Sequence, residues 1–253
     1  MADAGSRELR GRVAIVTGSG RNIGRAIALA LAAAGAGVLV NARTNGAEAE
    51  TVVRQIERDG GRALAHLADV ADAEAVKAMA AAAFAHFGRI DILVNNAAIR
   101  DEKAFAEITL ADWRAVMAVI LEGAFLCAQA CLPALRESGA GTIVNIGGLS
   151  AHSGSRHRAH VIAAKAGLIG LTRALAHDLA ADGITVNCVS PGLIERARDP
   201  NLPRPQHHQA NRTLSGHYGA PHDVAAVVRF LAGPSARYIS GQTIHANGGA
   251  FLA

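Results

Sequence analysis

Aromatic residues are scarce in this 253-residue chain, at six Phe, two Tyr and one Trp. The two tyrosines, Tyr218 and Tyr238, both fall near the C-terminal end. Cysteine is sparse as well. Cys127, Cys131 and Cys188 form no CxxC pair, and the first two lie at i, i+4 inside an apolar helical pattern. That argues for buried thiols of a cytosolic protein rather than a redox or metal centre. Excess charge is modest too. The 25 Lys and Arg against 21 Asp and Glu leave a net charge of +4, and the basic residues are scattered. A nucleic-acid face is not expected. Residues Met1 to Arg7 carry no apolar leader, and no wholly apolar run reaches about 18 residues. The protein is expected to be soluble and cytoplasmic, with no membrane partner.

What is abundant is apolar and small. Hydrophobic residues make up 51% of the chain, charged residues 18%, and 27 residues are glycine. Such a composition suits helices packed closely on a parallel sheet. Strand-like runs alternate with helical patterns from end to end. Strands are predicted at Val13 to Thr17, Val38 to Ala42, Ala63 to Ala68, Ile90 to Asn95, Thr142 to Ile146, Ile184 to Val189 and Gln242 to Ala246. Helices are predicted at Asn22 to Ala34, Ala47 to Arg58, Asp72 to Phe87, Leu110 to Arg136, Ala159 to Ala181 and Asp223 to Leu231. This alternation implies right-handed crossovers and a doubly wound α/β sheet with helices on both faces. No repeat or linker divides it, so residues 1–253 are expected to form a single domain. The stretch Pro191 to Pro221 is irregular and rich in Pro, His, Asn and Arg. A loop of that length in a compact domain is usually functional, and a substrate lid is expected at about 193–220.

The first strand runs into Thr17-Gly18-Ser19-Gly20-Arg21-Asn22-Ile23-Gly24 and then a helix. Glycines there let backbone approach a pyrophosphate, which also gains from the helix N-terminus. Asp69-Val70 closes the third strand and Asn95-Asn96-Ala97-Ala98 the fourth. Pro191-Gly192 follows the sixth, and Gly241 to Gly249 closes the chain. In this order and spacing, these motifs resemble the short-chain dehydrogenase/reductase family over essentially the full length.

The resemblance implies a seven-stranded Rossmann fold and a nicotinamide dinucleotide cofactor. Gly18, Arg21, Ile23 and Gly24 would cradle the pyrophosphate. Asn22 stands where the family has its middle glycine, and Asn tolerates left-handed backbone best after glycine. Asp69 and Val70 would flank the adenine, Asn95 and Ala97 the adenosine ribose, and Pro191, Gly192 and Ile194 the nicotinamide. An acidic residue ending the second strand would select NAD. Here that position is Ala42, followed by Arg43, with Arg21 in the glycine loop. Two guanidiniums without a carboxylate suit the 2′-phosphate of NADP(H), with NAD(H) as the alternative.

The family's catalytic set is Asn, Ser, Tyr and Lys. By the same alignment Ile120 stands for the Asn, Gly148 for the Ser and Val161 for the Tyr, and only Lys165 matches. A positioned phenol lends about 10²–10⁴ in rate, and valine cannot donate a proton. Lys165 is expected to keep the role of binding nicotinamide-ribose hydroxyls. The polar segment His152 to His160 could supply a substitute acid. His157 lies one turn before Val161 if the helix already extends there, His160 is adjacent to it, and Ser150 is two past the vacant Ser position. No metal site is expected, because no Asp, Glu or Cys completes a set with His157, His160, His207 and His208. Arg196, just past the Pro-Gly turn, is either a surface residue or a clamp for an anionic substrate.

Two functional readings stay open. One is an NADP(H)-dependent oxidoreductase with unusual site chemistry, acting on a small molecule such as a C=C or C=N compound. The other is a non-catalytic or non-redox protein of the same fold, serving as a cofactor-binding or subunit-partner protein. The resemblance also implies a homotetramer or homodimer, with the two long helices packing between subunits and Ala163, Ala166, Gly167, Gly170 and Ala174 allowing close approach.

Overall fold

The computed structural model describes residues 7–195 and 212–252. Seven parallel strands form one sheet: β1 (Val13–Val16), β2 (Gly37–Ala42), β3 (Arg62–Leu67), β4 (Ile92–Asn95), β5 (Thr142–Ile146), β6 (Thr185–Pro191) and β7 (Thr243–Ala246). Their spatial order is β3-β2-β1-β4-β5-β6-β7. The order reverses between β1 and β4, which are paired in register from Ala14↔Ile92 to Val16↔Val94. A crevice opens at the carboxyl ends of the strands at such a switch point.

Alternation along the strands serves two cores. Ala14 and Val16 join one apolar cluster while Ile15 joins the other, as the two-residue period of a strand requires. On the first face lie α1 (Asn22–Ala33), α2 (Gly46–Arg58) and α8 (Pro221–Ala232), contributing Ile27, Val52 and Val228. On the second lie α3 (Ala73–Phe87) and α5 (Gly123–Glu137), contributing Met79 and Cys131. All three cysteines are buried, which raises the Cys127 thiol to about 12 and the Cys188 thiol to about 11. They are the inert thiols that the sequence pattern suggests.

The long helix expected over Leu110 to Arg136 is interrupted. It runs as α4 (Leu110–Met117), a π-helical turn at Ala118–Glu122, then α5. Such π-turns insert one extra residue and recur at functional sites. Ile120 is buried in this turn and packs with Val116, Val161 and Ala164 in a small third cluster. The second long helix, α7, spans Ala159–Asp178 and ends three residues earlier than expected, followed by a 3-10 turn at Ala180–Asp182. A short helix, α6 (Ser150–Ser153), precedes it.

The two long helices (Leu110–Glu137 and Ala159–Asp178) are long and apolar enough to cross a membrane, with mean hydropathy 2.0 and 1.2. They touch each other within this chain. A Cβ on Gly167 would come 2.9 Å from a methyl of Leu121. Gly167 of the small-residue face therefore packs on its own chain, whereas Gly170 faces open space.

Candidate active site

Asn41 in β2 shapes the glycine loop. Its Oδ1 accepts from the Gly18 amide at 3.0 Å, and its Nδ2 donates to the Ala68 carbonyl at 3.1 Å. Thr17 Oγ1 accepts from the amides of Asn96 and Ala97, and Asn96 Nδ2 donates back to the Thr17 and Gly18 carbonyls. Gly18 and Asn22 take positive φ, at 60° and 50°. Gly24 is held even tighter, because a Cβ there would lie 2.3 Å from the Gly18 carbonyl oxygen.

Helix α1 begins from this loop with no side-chain cap and no acidic residue in its first turn. Elsewhere Asp72 caps α3, and Thr109 with Asp112 forms a capping box on α4. The first residues of α1, Asn22, Ile23 and Gly24, line a cavity of about 730 Å³. Such an uncapped end suits an anionic group. Of the expected cofactor residues, Gly18, Arg21, Asn22, Ile23 and Gly24 line this cavity, as do Arg43, Asp69, Val70 and Ala97. Arg21 and Arg43 are exposed at its rim. Ala42 ends β2 without a carboxylate, although Glu48 of α2 also borders the cavity. Asn95 is not brought to the cavity lining. Its side-chain amide donates to Asn145 Oδ1 at 2.9 Å, deep between β4 and β5.

A second cavity of about 70 Å³ adjoins the first, and Ile23 and Arg100 border both. Pro191, Gly192 and Ile194 line it, facing Gly148, Val161 and Lys165 across the gap. A Cβ on Gly148 would meet nothing within 4 Å. Lys165 is buried, and its ammonium donates to the Ile146 carbonyl. Burial lowers its pKa to about 7, and the nearby cations Arg100 and Arg158 add to that. A lysine tuned to neutrality can carry a proton in either direction at physiological pH.

The expected substitute acids divide. Ser150 lines the reaction-side cavity at the start of α6. His157 does not, because α7 starts only at Ala159 and His157 sits before it with a left-handed φ of 60°. The condition for its sharing a face with Val161 is not met. His160 is fully buried and points its Nε2 toward Asp101, 4.0 Å away, outside the cavity lining. Arg196, His207 and His208, with most of the lid region, lie outside the described residues. Its near flank is ordered by an isolated bridge between Ile194 and Gly219.

Two charged residues lining the second cavity lay outside the sequence-based candidates. Arg158 is only 8% exposed and borders the reaction-side cavity with Arg100. Arg158 is the N-cap of α7 and lies outside its helical turns, so no helical spacing in the sequence placed it beside Val161.

Known proteins resemble the chain along nearly all its length. A family model described as "Enoyl-(Acyl carrier protein) reductase" matches residues 18–250. A 3-oxoacyl-[acyl-carrier-protein] reductase from Synechocystis sp. is 42% identical over 246 residues, covering 95% of this chain and 97% of the relative. Among solved structures, a dehydrogenase/reductase from Sinorhizobium meliloti superposes with a TM-score of 0.92 at 38% identity, covering 98% of each chain. A short chain dehydrogenase from Burkholderia cenocepacia in complex with NADP superposes with a TM-score of 0.90 at 39% identity, covering 96% of this chain and 99% of that one.

Proposed function

The chain belongs to the short-chain dehydrogenase/reductase family of NAD(P)-dependent oxidoreductases, and from that premise we propose hydride transfer between NADP(H) and a small organic substrate without the family's tyrosine acid. The cofactor is NADP(H). The residues present fit it, since the uncapped α1 and the positive-φ Gly18 and Asn22 form a cradle, and Gly24 lets α1 close on the Gly18 carbonyl behind it. Gly18 and Gly24 hold the pyrophosphate, and Arg21 and Arg43 take the 2′-phosphate. Bound there, the nicotinamide donates or accepts the hydride.

The chain's own residues do the rest. Pro191, Gly192 and Ile194 wall the reaction-side cavity, and Gly148 leaves its floor open. The observation that carries the unusual chemistry is the apolar packing of Val161 on Ile120 and Ala164, where the alignment expects a phenol and an amide. Lys165 is the proton carrier of this cavity, with Ser150 as the hydroxyl within its lining. Such a site favours C=C or C=N substrates, whose reduction does not require a phenol to protonate a carbonyl oxygen. The same packing favours a second reading, a cofactor-binding protein without turnover.

The protein acts in the cytoplasm as a homotetramer or homodimer. Support comes from Leu110 and Phe125, which the single chain leaves 62% and 47% exposed on the long interrupted helix. Residues of about 193–220 serve as the lid.

Calorimetric titration with NADPH and NADH tests the cofactor assignment. Micromolar NADPH binding is expected, about tenfold weaker in Arg43→Ala through loss of a charge-assisted bond, with NADH little changed. No binding of either nucleotide overturns the oxidoreductase reading. Binding without NADPH oxidation on panels of C=C and C=N compounds favours the non-catalytic one.

A further inference from the structure

The reaction-side cavity carries charge of one sign. Arg100, Arg158 and Lys165 line it, and among the described residues no carboxylate does. Arg158 is the most constrained of the three. It is more than nine-tenths buried, and its Nε has no hydrogen-bond partner among the described residues. Burial works against its charge, and among the described residues Glu102, outside the lining, is the carboxylate that opposes this. A buried cation with no ion-pair partner among the described residues needs a physical reason, and an anionic ligand at the guanidinium is one.

The backbone is arranged to present this side chain. His157 adopts φ 60°, a left-handed turn that costs energy in any residue but glycine. Its carbonyl accepts from the Lys103 amide at 2.7 Å, which ties the loop bearing Arg100 to the loop bearing Arg158. Arg158 then stands at the N-cap of α7, three residues from Val161, opposite the open floor at Gly148.

We infer that this cavity receives a small carboxylate-bearing substrate, anchored by the Arg158 guanidinium with Arg100 adding positive charge. A guanidinium holds a carboxylate through paired, directional hydrogen bonds. That anchor orients the reacting carbon in a site lacking the family's oxygen-binding hydroxyls. The inference deepens the oxidoreductase reading for turnover, whereas the anion site itself is independent of it.

The test compares acetoacetate with its methyl ester, which has the same skeleton but no charge. Both are titrated calorimetrically into the wild-type chain, free and NADP⁺-loaded, and into Arg158→Gln and Arg158→Lys. Acetoacetate is expected to bind at least about tenfold tighter than the ester, with the preference lost in Arg158→Gln and partly kept in Arg158→Lys. Equal binding of acid and ester, no binding of either, or a preference unchanged in Arg158→Gln overturns the inference. So does loss of NADPH affinity in Arg158→Gln with the preference kept, which would assign Arg158 to the cofactor. If Arg158→Gln does not fold, the acid-to-ester ratio in the wild type and in Arg158→Lys decides. Acetoacetate binding by a wild-type chain that fails to bind NADPH would leave the anion site standing and sink the cofactor assignment.

Discussion

The crevice has one half around Gly18, Asn22 and Gly24, where the proposed function places the adenosine side of the cofactor, and another around Gly148, Val161 and Lys165, where it places the reaction. The first is made of backbone: open α1 amides, positive-φ residues and a glycine with no room for a Cβ. The second is made of side chains on β5, α7 and two loops. Backbone geometry depends on many neighbours at once, so it tolerates few substitutions. A side-chain constellation can change one residue at a time without disturbing the sheet. In this chain the backbone half carries the glycine loop, while an apolar cluster and the basic residues Arg100, Arg158 and Lys165 occupy the side-chain half.

The largest effect is expected from rebuilding the second half in the first one's idiom. Gly148→Ser meets open space, and Val161→Tyr would direct its ring into the cavity that Val161 already lines. If the cofactor lies as proposed, the double variant should gain ketone reduction of about 10²–10⁴ over the wild type, read as NADPH oxidation across a ketone panel. A variant that binds NADPH yet stays inactive would show that the reaction half is rebuilt well beyond the catalytic set.

Gly24→Val attacks the other half. Its Cβ would fall 2.3 Å from the Gly18 carbonyl oxygen and 2.5 Å from Asn96 Nδ2. NADPH affinity should drop about 100-fold or more, equivalent to a 2.7 kcal/mol overpacking cost. Calorimetry beside a thermal melt separates this from global unfolding, and unchanged affinity would refute the backbone cradle.

A smaller effect tests the cations of the reaction half. Burial holds the folded-state pKa of Lys165 at about 7, below its ordinary 10.5. The unfolded chain then binds more protons between those values, so stability should rise with pH from about 7 to about 10.5, by at most about 1.4 kcal/mol per pH unit. Below pH 7 the cost of the buried charge is fully present. Lys165→Met should flatten this slope and raise the melting temperature at pH 6. A slope identical in wild type and variant would show that Lys165 remains charged throughout.

The legible parts of this molecule were those set by neighbours in sequence. Short apolar runs between helical patterns placed the strands of the sheet within one or two residues, and the Gly18 to Gly24 loop announced its cavity through residues lining it from one short stretch. The helix from Leu110 hid its π-turn, because the apolar pattern continues through Ala118–Glu122 and the extra residue there is set by packing on Val161 and Ala164. The place of Asn95 is set by a related long-range contact, since its amide donates to Asn145, fifty residues away, and the residue lies outside the cavity lining.

The sequence by itself determined the doubly wound sheet, the glycine loop at its switch point and the valine at position 161, because short-range patterning, glycine and residue identity suffice for each. Only the tertiary structure decided which polar residues face the reaction. His157 and His160 lie outside the second cavity's lining, while Arg158 and Arg100 border it, where the bond between Lys103 and His157 joins two loops distant along the chain. The direction of a loop side chain depends on such contacts across the fold, and no local pattern of residues encodes them.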